Sequence, residues 1–172
     1  KEHCYYLKDT GLYHFNDIIF SVSSIRDYEI INPEIIKKSE YYTEKTKLIC
    51  LFHGRVDGVI LFNNSKLEGE INQKTNKTIT PSSFNGYDLA LLGDIHKRQY
   101  LNQNKTIAYA GSLIQQNHGE SLDNHGLIKW DVNTNKSQFI DIKNDYGYVT
   151  VEVNNDKIDN VDLLSKNTYP TN

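Results

Sequence analysis

Residues 87–96 read Tyr87-Asp-Leu-Ala-Leu-Leu-Gly-Asp-Ile-His96 and set the architecture of the chain. Their apolar run, 89–92, is typical of a central strand buried on both faces, and Gly93 allows a sharp exit from it. Asp94 and His96 follow, and in an extended backbone their side chains point the same way. A carboxylate and an imidazole on one face suit Mn²⁺, Fe²⁺ or Zn²⁺. The pattern predicts half of a metal site, although a solvated Asp and a surface His would also satisfy it.

A second apolar run ends in the same way. Lys47-Leu-Ile-Cys-Leu-Phe-His53-Gly54 is a predicted strand followed by a histidine and a glycine. Sites in open α/β sheets gather at the carboxyl ends of the strands. His53 is therefore expected to meet Asp94 and His96, although it is far from them in the chain. The other interpretation of His53 is a ring hydrogen-bonded to a neighbouring loop carbonyl.

Strands dominate the rest of the chain. Asn32-Pro33 is expected to start a short helix that reaches Lys38, and residues 56–62 are expected to run helically away from the site. Residues 63–80 are polar and non-periodic, as in a surface loop or hairpin. Turn residues within 131–136 predict a β-hairpin. The predicted strands lie near 12–15, 18–24, 47–52, 88–92, 107–110, 126–132, 137–142 and 147–153.

Five short segments follow one another in a specific order: His53-Gly54, Gly93-Asp-Ile-His96, Tyr109-Ala-Gly-Ser112, His118-Gly-Glu120 and Gly126-Leu-Ile-Lys-Trp-Asp131. Over most of the chain this order resembles the calcineurin-like metallophosphoesterases, and within them the SbcD-type nucleases of double-strand-break processing. That family carries a late histidine beside a glycine, then G-H-x-H, Y-x-G-S and F-G-E motifs, then a closing β-hairpin. Versions from phages and giant viruses are nearest in character.

The resemblance implies a fold and a domain division. The fold would be α/β and β-rich, the second half of a two-sheet αββα metallophosphoesterase sandwich that ends in β-hairpins. Residues 1–153 would be the C-terminal portion of the phosphoesterase domain, and residues 154–172 a linker or the start of a capping module.

The chain departs from the family pattern in two places and lacks part of it. Asp94 replaces the first histidine of G-H-x-H, which favours Mn²⁺ or Mg²⁺ over softer ions, and His118 replaces the phenylalanine of F-G-E. The family's N-terminal D-x-H, Gly-Asp and G-N-H-[D/E] motifs do not occur ahead of His53, and the chain has no methionine. We therefore expect the catalytic residues to lie upstream of Lys1 in a longer protein, and this chain alone to be inactive.

The resemblance also implies a function. The parent protein would be a divalent-metal-dependent phosphodiesterase, a DNA exo- or endonuclease of SbcD type in DNA repair or recombination. Its cofactors would be two divalent metal ions, Mn²⁺ first, with Mg²⁺, Fe²⁺ or Zn²⁺ as alternatives. His53 and Asp94 would bind one metal and His96 the other. Its partners would be DNA, an SbcC-like ATPase and, in a homodimer, a second copy of the chain.

Two other functions fit the same residues. One is a phosphatase or small-molecule phosphodiesterase of the same superfamily, because the metals act on any phosphate ester and the capping region selects the substrate. The other is a non-catalytic β-rich binding module in which the three side chains are ordinary polar groups at strand ends.

The net charge of −3 and the pI near 6.1 do not indicate a broad nucleic-acid-binding surface. Any DNA contact must then be local, and Arg55, Lys97 and Arg98 are the candidates to reach phosphate oxygens beside the metals. Solvated loop charges are the alternative for all three.

The cysteines and the compartment can also be addressed from the sequence. Cys4 and Cys50 show no metal or redox spacing, so both are expected to be reduced packing residues. No segment reaches the roughly 18 apolar residues of a membrane helix, which favours an intracellular protein, cytoplasmic or nuclear.

Glu120 and His118 are either surface residues or hydrogen-bond partners behind a metal-bound histidine.

Overall fold

The computed structural model describes residues 6–144, 147–148 and 150–158. This part of the chain is β-rich, and its α-helix is a single short turn. None of its helices is long and apolar enough to cross a membrane. The elements are β1 (Gly11–Phe15), β2 (Ile18–Ser23), α1 (Pro33–Ile36), β3 (Lys47–His53), β4 (Ile71–Asn72), β5 (Lys77–Thr78), a 3₁₀ turn (Pro81–Phe84), β6 (Leu89–Gly93), β7 (Gln99–Tyr100), β8 (Ile107–Tyr109), β9 (Gly126–Asp131), β10 (Lys136–Asp141), β11 (Val153–Asn154) and β12 (Lys157–Ile158).

A six-stranded mixed sheet in the order β1-β2-β3-β6-β8-β7 organises these elements. β2, β3, β6 and β8 run parallel to one another, and β1 and β7 pair antiparallel at the two edges. Parallel neighbours end at the same edge of a sheet. The carboxyl ends of β3 and β6 therefore lie side by side, as the two apolar runs predicted. This confirms a β-rich α/β class.

One face of the sheet carries the main hydrophobic core. Alternate residues of β3, β6 and β8 point to it, and the loops that follow these strands fold back over it. Tyr109 is its largest fully buried side chain. The buried members are Cys50, Phe52, Val56, Val59, Ile79, Phe84, Ala90, Leu92, Ile95, Ile107 and Tyr109.

The opposite face of the sheet is also apolar and is partly covered by the β9–β10 hairpin. Tyr100 on β7 stacks on Phe139 with ring centroids 4.8 Å apart and shares a hydrogen bond with Ser137. At the turn of the hairpin, the Lys47 ammonium donates a hydrogen bond to the side-chain oxygen of Asn135. Beyond the hairpin, Val22, Leu51 and Leu91 line a cavity whose rim includes His53.

The predicted hairpin and the predicted helix start are both present. β9 and β10 pair antiparallel over their full length, and Asp131 accepts backbone bonds from Asn133 and Thr134 in the turn. Asn32 caps α1 by accepting the Glu34 N–H at 2.9 Å. The regular helix ends at Ile36, two residues earlier than expected. In the polar 63–80 segment, β4 and β5 form a short hairpin.

The predicted helix over 56–62 is wrong. Val56 and Val59 are spaced like one face of a helix, but both are anchors of the core under an extended loop. Two backbone hydrogen bonds join this loop to Leu67. The Leu67 carbonyl accepts the Gly58 N–H, and the Leu67 N–H donates to the Val59 carbonyl. Gly58 has φ +81°, which a helix does not contain. Long-range backbone bonds therefore replace the expected helical ones.

The predicted strand over 147–153 is also wrong in the residues that are described. Residues 147, 148 and 150–152 are not in a strand, and pairing begins only at Val153, in the β11–β12 hairpin. Most of the expected linker, residues 159–172, and Cys4 lie outside the described residues. Cys50 is fully buried in the core, as expected of a packing residue.

Candidate metal centre

The ends of β3 and β6 place His53 against Gly93. The two residues are partners in the parallel register, and the Gly54 N–H donates to the Gly93 carbonyl at 3.3 Å. A Cβ atom on Gly93 would lie 2.8 Å from Cδ2 of His53. The glycine therefore provides the space that the exposed imidazole occupies beside the start of the next loop.

Tyr109 fixes the loop that follows His53. Its phenol donates to the Gly54 carbonyl at 2.6 Å and accepts the Val56 N–H at 3.1 Å. Burial raises the pKa of the Tyr109 phenol, so the group stays a neutral hydrogen-bond donor. The tyrosine of the Y-x-G-S segment thus acts as a strut beneath the His53 loop.

Asp94 leaves the strand in an unusual backbone conformation. Its φ is +94°, a value that L-residues rarely adopt and that costs about 1–3 kcal/mol. The extended backbone assumed from the sequence is therefore absent after Gly93. Even so, Asp94 and His96 line the same open cavity. Strain at a residue with a metal-capable side chain is a common property of functional sites.

The carboxylate of Asp94 is exposed and has no hydrogen bond or ion pair within the described part of the chain. Its charge is nevertheless sensed nearby. The Glu70 carboxylate raises the pKa of the Arg55 guanidinium, and Asp94 adds to that shift. Burial raises the pKa of Tyr28, and Glu70 and Asp94 raise it further. The charge of Asp94 thus influences Arg55 and Tyr28 without a hydrogen bond to either.

His96 is held from behind. Its Nδ1 lies 2.8 Å from Oε1 of Glu120, and the Glu120 side chain is only 4% exposed whereas that of His96 is 48% exposed. Nε2 of His96 has no hydrogen-bond partner among the described residues. A buried carboxylate behind an imidazole is the usual support of a metal-bound histidine. The Glu of the F-G-E-like segment therefore takes the supporting position, whereas His118 is exposed and packs on Tyr148 instead.

The backbone of the Y-x-G-S segment packs directly against the His96 loop. The Ser112 N–H donates to the His96 carbonyl at 3.1 Å. Gly111 has φ +79°, and a Cβ there would lie 2.7 Å from the His96 carbonyl oxygen. Only glycine fits this position, because both the backbone angle and the space exclude a side chain. Ser112 and Gly111 thus brace the loop that carries His96.

The three candidate phosphate-binding cations all have partners inside the chain. Arg55 forms a two-pronged pair with Glu70, at 2.6 and 3.3 Å. Lys97 donates to the Leu61 carbonyl at 3.0 Å. Arg98 is 13% exposed, pairs with Asp141 and lies over the ring of Phe139, at 4.2 Å from its centroid. Arg98 therefore fastens the β9–β10 hairpin to the sheet, and DNA contact by these cations stays a prediction.

The structure brings two of the predicted ligands together, because Asp94 and His96 line the same cavity. His53 lies across β3 and β6 from Gly93 and lines a different cavity. No group of three or more His, Cys, Asp or Glu side chains that could hold a metal occurs within 6–144, 147–148 and 150–158. Metal binding by His53, Asp94 and His96 therefore stays a prediction, and it would need further ligands.

Sequence reasoning missed His125. It is buried, and its ring bonds Ser112 through Nδ1 at 3.0 Å and the Ser121 carbonyl through Nε2 at 2.7 Å. No motif or spacing marks it, because its partners are brought close only by the fold of the 112–125 loop.

Comparison with known proteins relates the chain to a viral protein. No model of a known protein family matches the chain. The chain is similar to the uncharacterized protein R555 of Acanthamoeba polyphaga mimivirus, with 41% identity over 152 residues. The similarity covers 87% of this chain but only 11% of that protein. The chain therefore corresponds to a small part of the viral relative.

Proposed function

We propose that this chain contributes one side of the metal centre of a divalent-metal-dependent phosphodiesterase, a DNA nuclease of SbcD type. His53 and Asp94 would bind one metal ion and His96 the other. The remaining ligands and the catalytic residues would come from outside this chain. An SbcC-like ATPase would present the DNA ends.

One observation carries the proposal: the carboxyl ends of two adjacent parallel strands deliver three exposed metal-capable side chains. Two of them, His53 and Asp94, make no hydrogen bond or ion pair within the described residues. The third, His96, is tied by Nδ1 to the buried Glu120, which leaves Nε2 for a ligand. By contrast, Arg55 and Arg98 form ion pairs, and Lys97 donates to the Leu61 carbonyl. The three side chains therefore keep donor atoms that are available to a metal ion.

The uncovered part of the sheet face opposite the main core supports the proposal that this chain is half of a two-sheet sandwich. Phe20, Val22, Leu51 and Leu91 share this face by strand alternation and register, and the last three line the cavity beside His53. In a two-sheet sandwich such a face packs against a second layer. A layer placed there would bring its own residues to the rim where His53 lies.

The proposed chemistry follows from the charges of the metals. Two divalent ions polarise a phosphodiester, lower the pKa of a bound water and stabilise the charge that develops during in-line displacement. Asp94 adds an anionic oxygen ligand where the family has histidine, and this favours Mn²⁺ or Mg²⁺.

The test is Mn²⁺-dependent hydrolysis by the full-length protein that contains this chain. His96→Ala should abolish cleavage of both duplex DNA ends and bis(p-nitrophenyl) phosphate. His14→Ala is the matched control, because His14 lies on edge strand β1 and its ring contacts Tyr41. Unchanged activity in His96→Ala would remove the assignment.

The same assay separates the two alternatives. A protein that turns over the small aryl phosphodiester but not DNA ends is a phosphatase or small-molecule phosphodiesterase. A binding module shows no turnover, and Mn²⁺ does not raise its melting temperature. The absence of a free cation among Arg55, Lys97 and Arg98 is the observation that favours the first alternative, because DNA-backbone contacts would have to come from other residues.

A further inference from the structure

The carboxylate of Glu120 is the centre of a buried hydrogen-bond network. Oε1 accepts from Asn117 Nδ2 at 2.8 Å and lies 2.8 Å from His96 Nδ1. Oε2 accepts the Gln116 N–H at 3.0 Å and lies 3.4 Å from the Ser112 hydroxyl. A carboxylate with this many donors is held in one position, because rotation would leave several of them unpaired.

We propose that Glu120 is a positioning residue that selects the tautomer of His96. An ionised carboxylate only accepts hydrogen bonds. The His96 nitrogen that faces it must therefore carry the proton, and Nε2 keeps its lone pair. This is the form that can bind a divalent cation through Nε2. The inference rests on the proposed metal-binding function of His96 and assigns to Glu120 a role in it.

The loop around Glu120 fixes the carboxylate relative to the imidazole. Ser112 contacts both partners, since its N–H donates to the His96 carbonyl and its hydroxyl approaches Glu120 Oε2. His125 lies 3.0 Å from the same hydroxyl and is anchored on the Ser121 carbonyl. The Ser112–His96 backbone bond and the Glu120–His96 side-chain bond both join the 112–125 loop to the loop that carries His96. The distance from Nδ1 to Oε1 is therefore set by the fold rather than by a free side chain.

The test is the tautomeric state of each histidine ring, read from nitrogen chemical shifts in long-range ¹H–¹⁵N spectra of the metal-free chain at a pH where the rings are neutral. His96 should be in the Nδ1–H form. In Glu120→Ala the Nε2–H form, which predominates for free histidine in water, should become the major one. Asn117→Ala is the matched control: it removes a donor to the same carboxylate oxygen without touching His96, and the tautomer should not change.

The wild-type measurement decides the inference even if Glu120→Ala does not fold. A wild-type His96 in the Nε2–H form overturns it, and so does a folded Glu120→Ala variant that keeps the Nδ1–H form. Metal binding is read separately, from Mn²⁺ broadening of the His96 ring signals. An Nδ1–H ring that Mn²⁺ does not broaden would refute the metal site and leave the positioning of His96 by Glu120 standing.

Discussion

Replacing Tyr109 by phenylalanine tests the strut under the His53 loop. The substitution keeps the ring in the core and removes only the hydroxyl. It leaves the Gly54 carbonyl and the Val56 N–H, both in a buried segment, without their partner. Each buried polar group that loses its hydrogen bond costs about 1–3 kcal/mol. We expect a loss of about 2–4 kcal/mol in the free energy of unfolding.

The measurement is urea denaturation followed by circular dichroism, with thermal melts in parallel. For a domain of this size each kcal/mol shifts the melting temperature by about 2–4 °C, so Tyr109→Phe should melt about 5–15 °C lower. Tyr13→Phe is the matched control. The Tyr13 hydroxyl makes one exposed bond to the Asp9 carbonyl, and its loss should cost less than about 0.5 kcal/mol. Equal stabilities of the two variants would refute the strut.

Three further predictions concern backbone strain, acid stability and thiol reactivity. Asp94→Gly should raise the free energy of unfolding by about 1 kcal/mol, because glycine accepts the positive φ, and it should lose Mn²⁺ binding. A variant that unfolds at lower urea than the wild type would contradict backbone strain at Asp94. Burial pushes the pKa of Asp88 upward, but bonds from the Leu48 N–H and from Lys47 outweigh it and hold the pKa below its usual value. The stability that this carboxylate adds is therefore present above its unfolded pKa, about 3.9, and is lost as pH falls through the lower folded value. The stability gap between wild type and Asp88→Asn, measured by urea titration, should thus be full at neutral pH and close in acid; a gap that persists would refute it. Burial raises the pKa of Cys50 to about 12. In a Cys4→Ser background, iodoacetamide should therefore modify Cys50 only after unfolding, as detected by mass spectrometry. Rapid labelling of the folded protein would count against the burial of Cys50.

The strands that carry the site could be predicted because their signal is local. The apolar runs before His53 and Gly93 are continuous, and each is ended by a glycine or a polar residue, so β3 and β6 were found almost to the residue. The β9–β10 hairpin was found for a similar reason, since its strands alternate and its turn is rich in Asn and Asp.

The rest depends on contacts between distant residues. β7 is only two residues long and exists because it pairs with β8. Residues 56–62 have helical spacing of valines but are held by backbone bonds to the 65–67 segment. The positive φ of Asp94 cannot be read from an Asp in a loop.

Side-chain roles at the site divide in the same way. The ligand candidates follow strands, so their place at the strand ends could be predicted, whereas their binding of metal stays a prediction. The contacts of Arg98 with Asp141 and Phe139 could not be predicted, because both residues are more than forty positions away in the chain. His125 was missed because Ser112 and Ser121 meet its ring only in the folded 112–125 loop.

The most direct test of the account is Mn²⁺ titration of the chain, with paramagnetic broadening of the histidine ring signals as the readout. We expect the His53 and His96 rings to broaden at the lowest Mn²⁺ concentrations, before that of His14 on the far edge of the sheet. His53 and His96 signals that broaden no earlier than that of His14 would contradict a metal centre at the ends of β3 and β6.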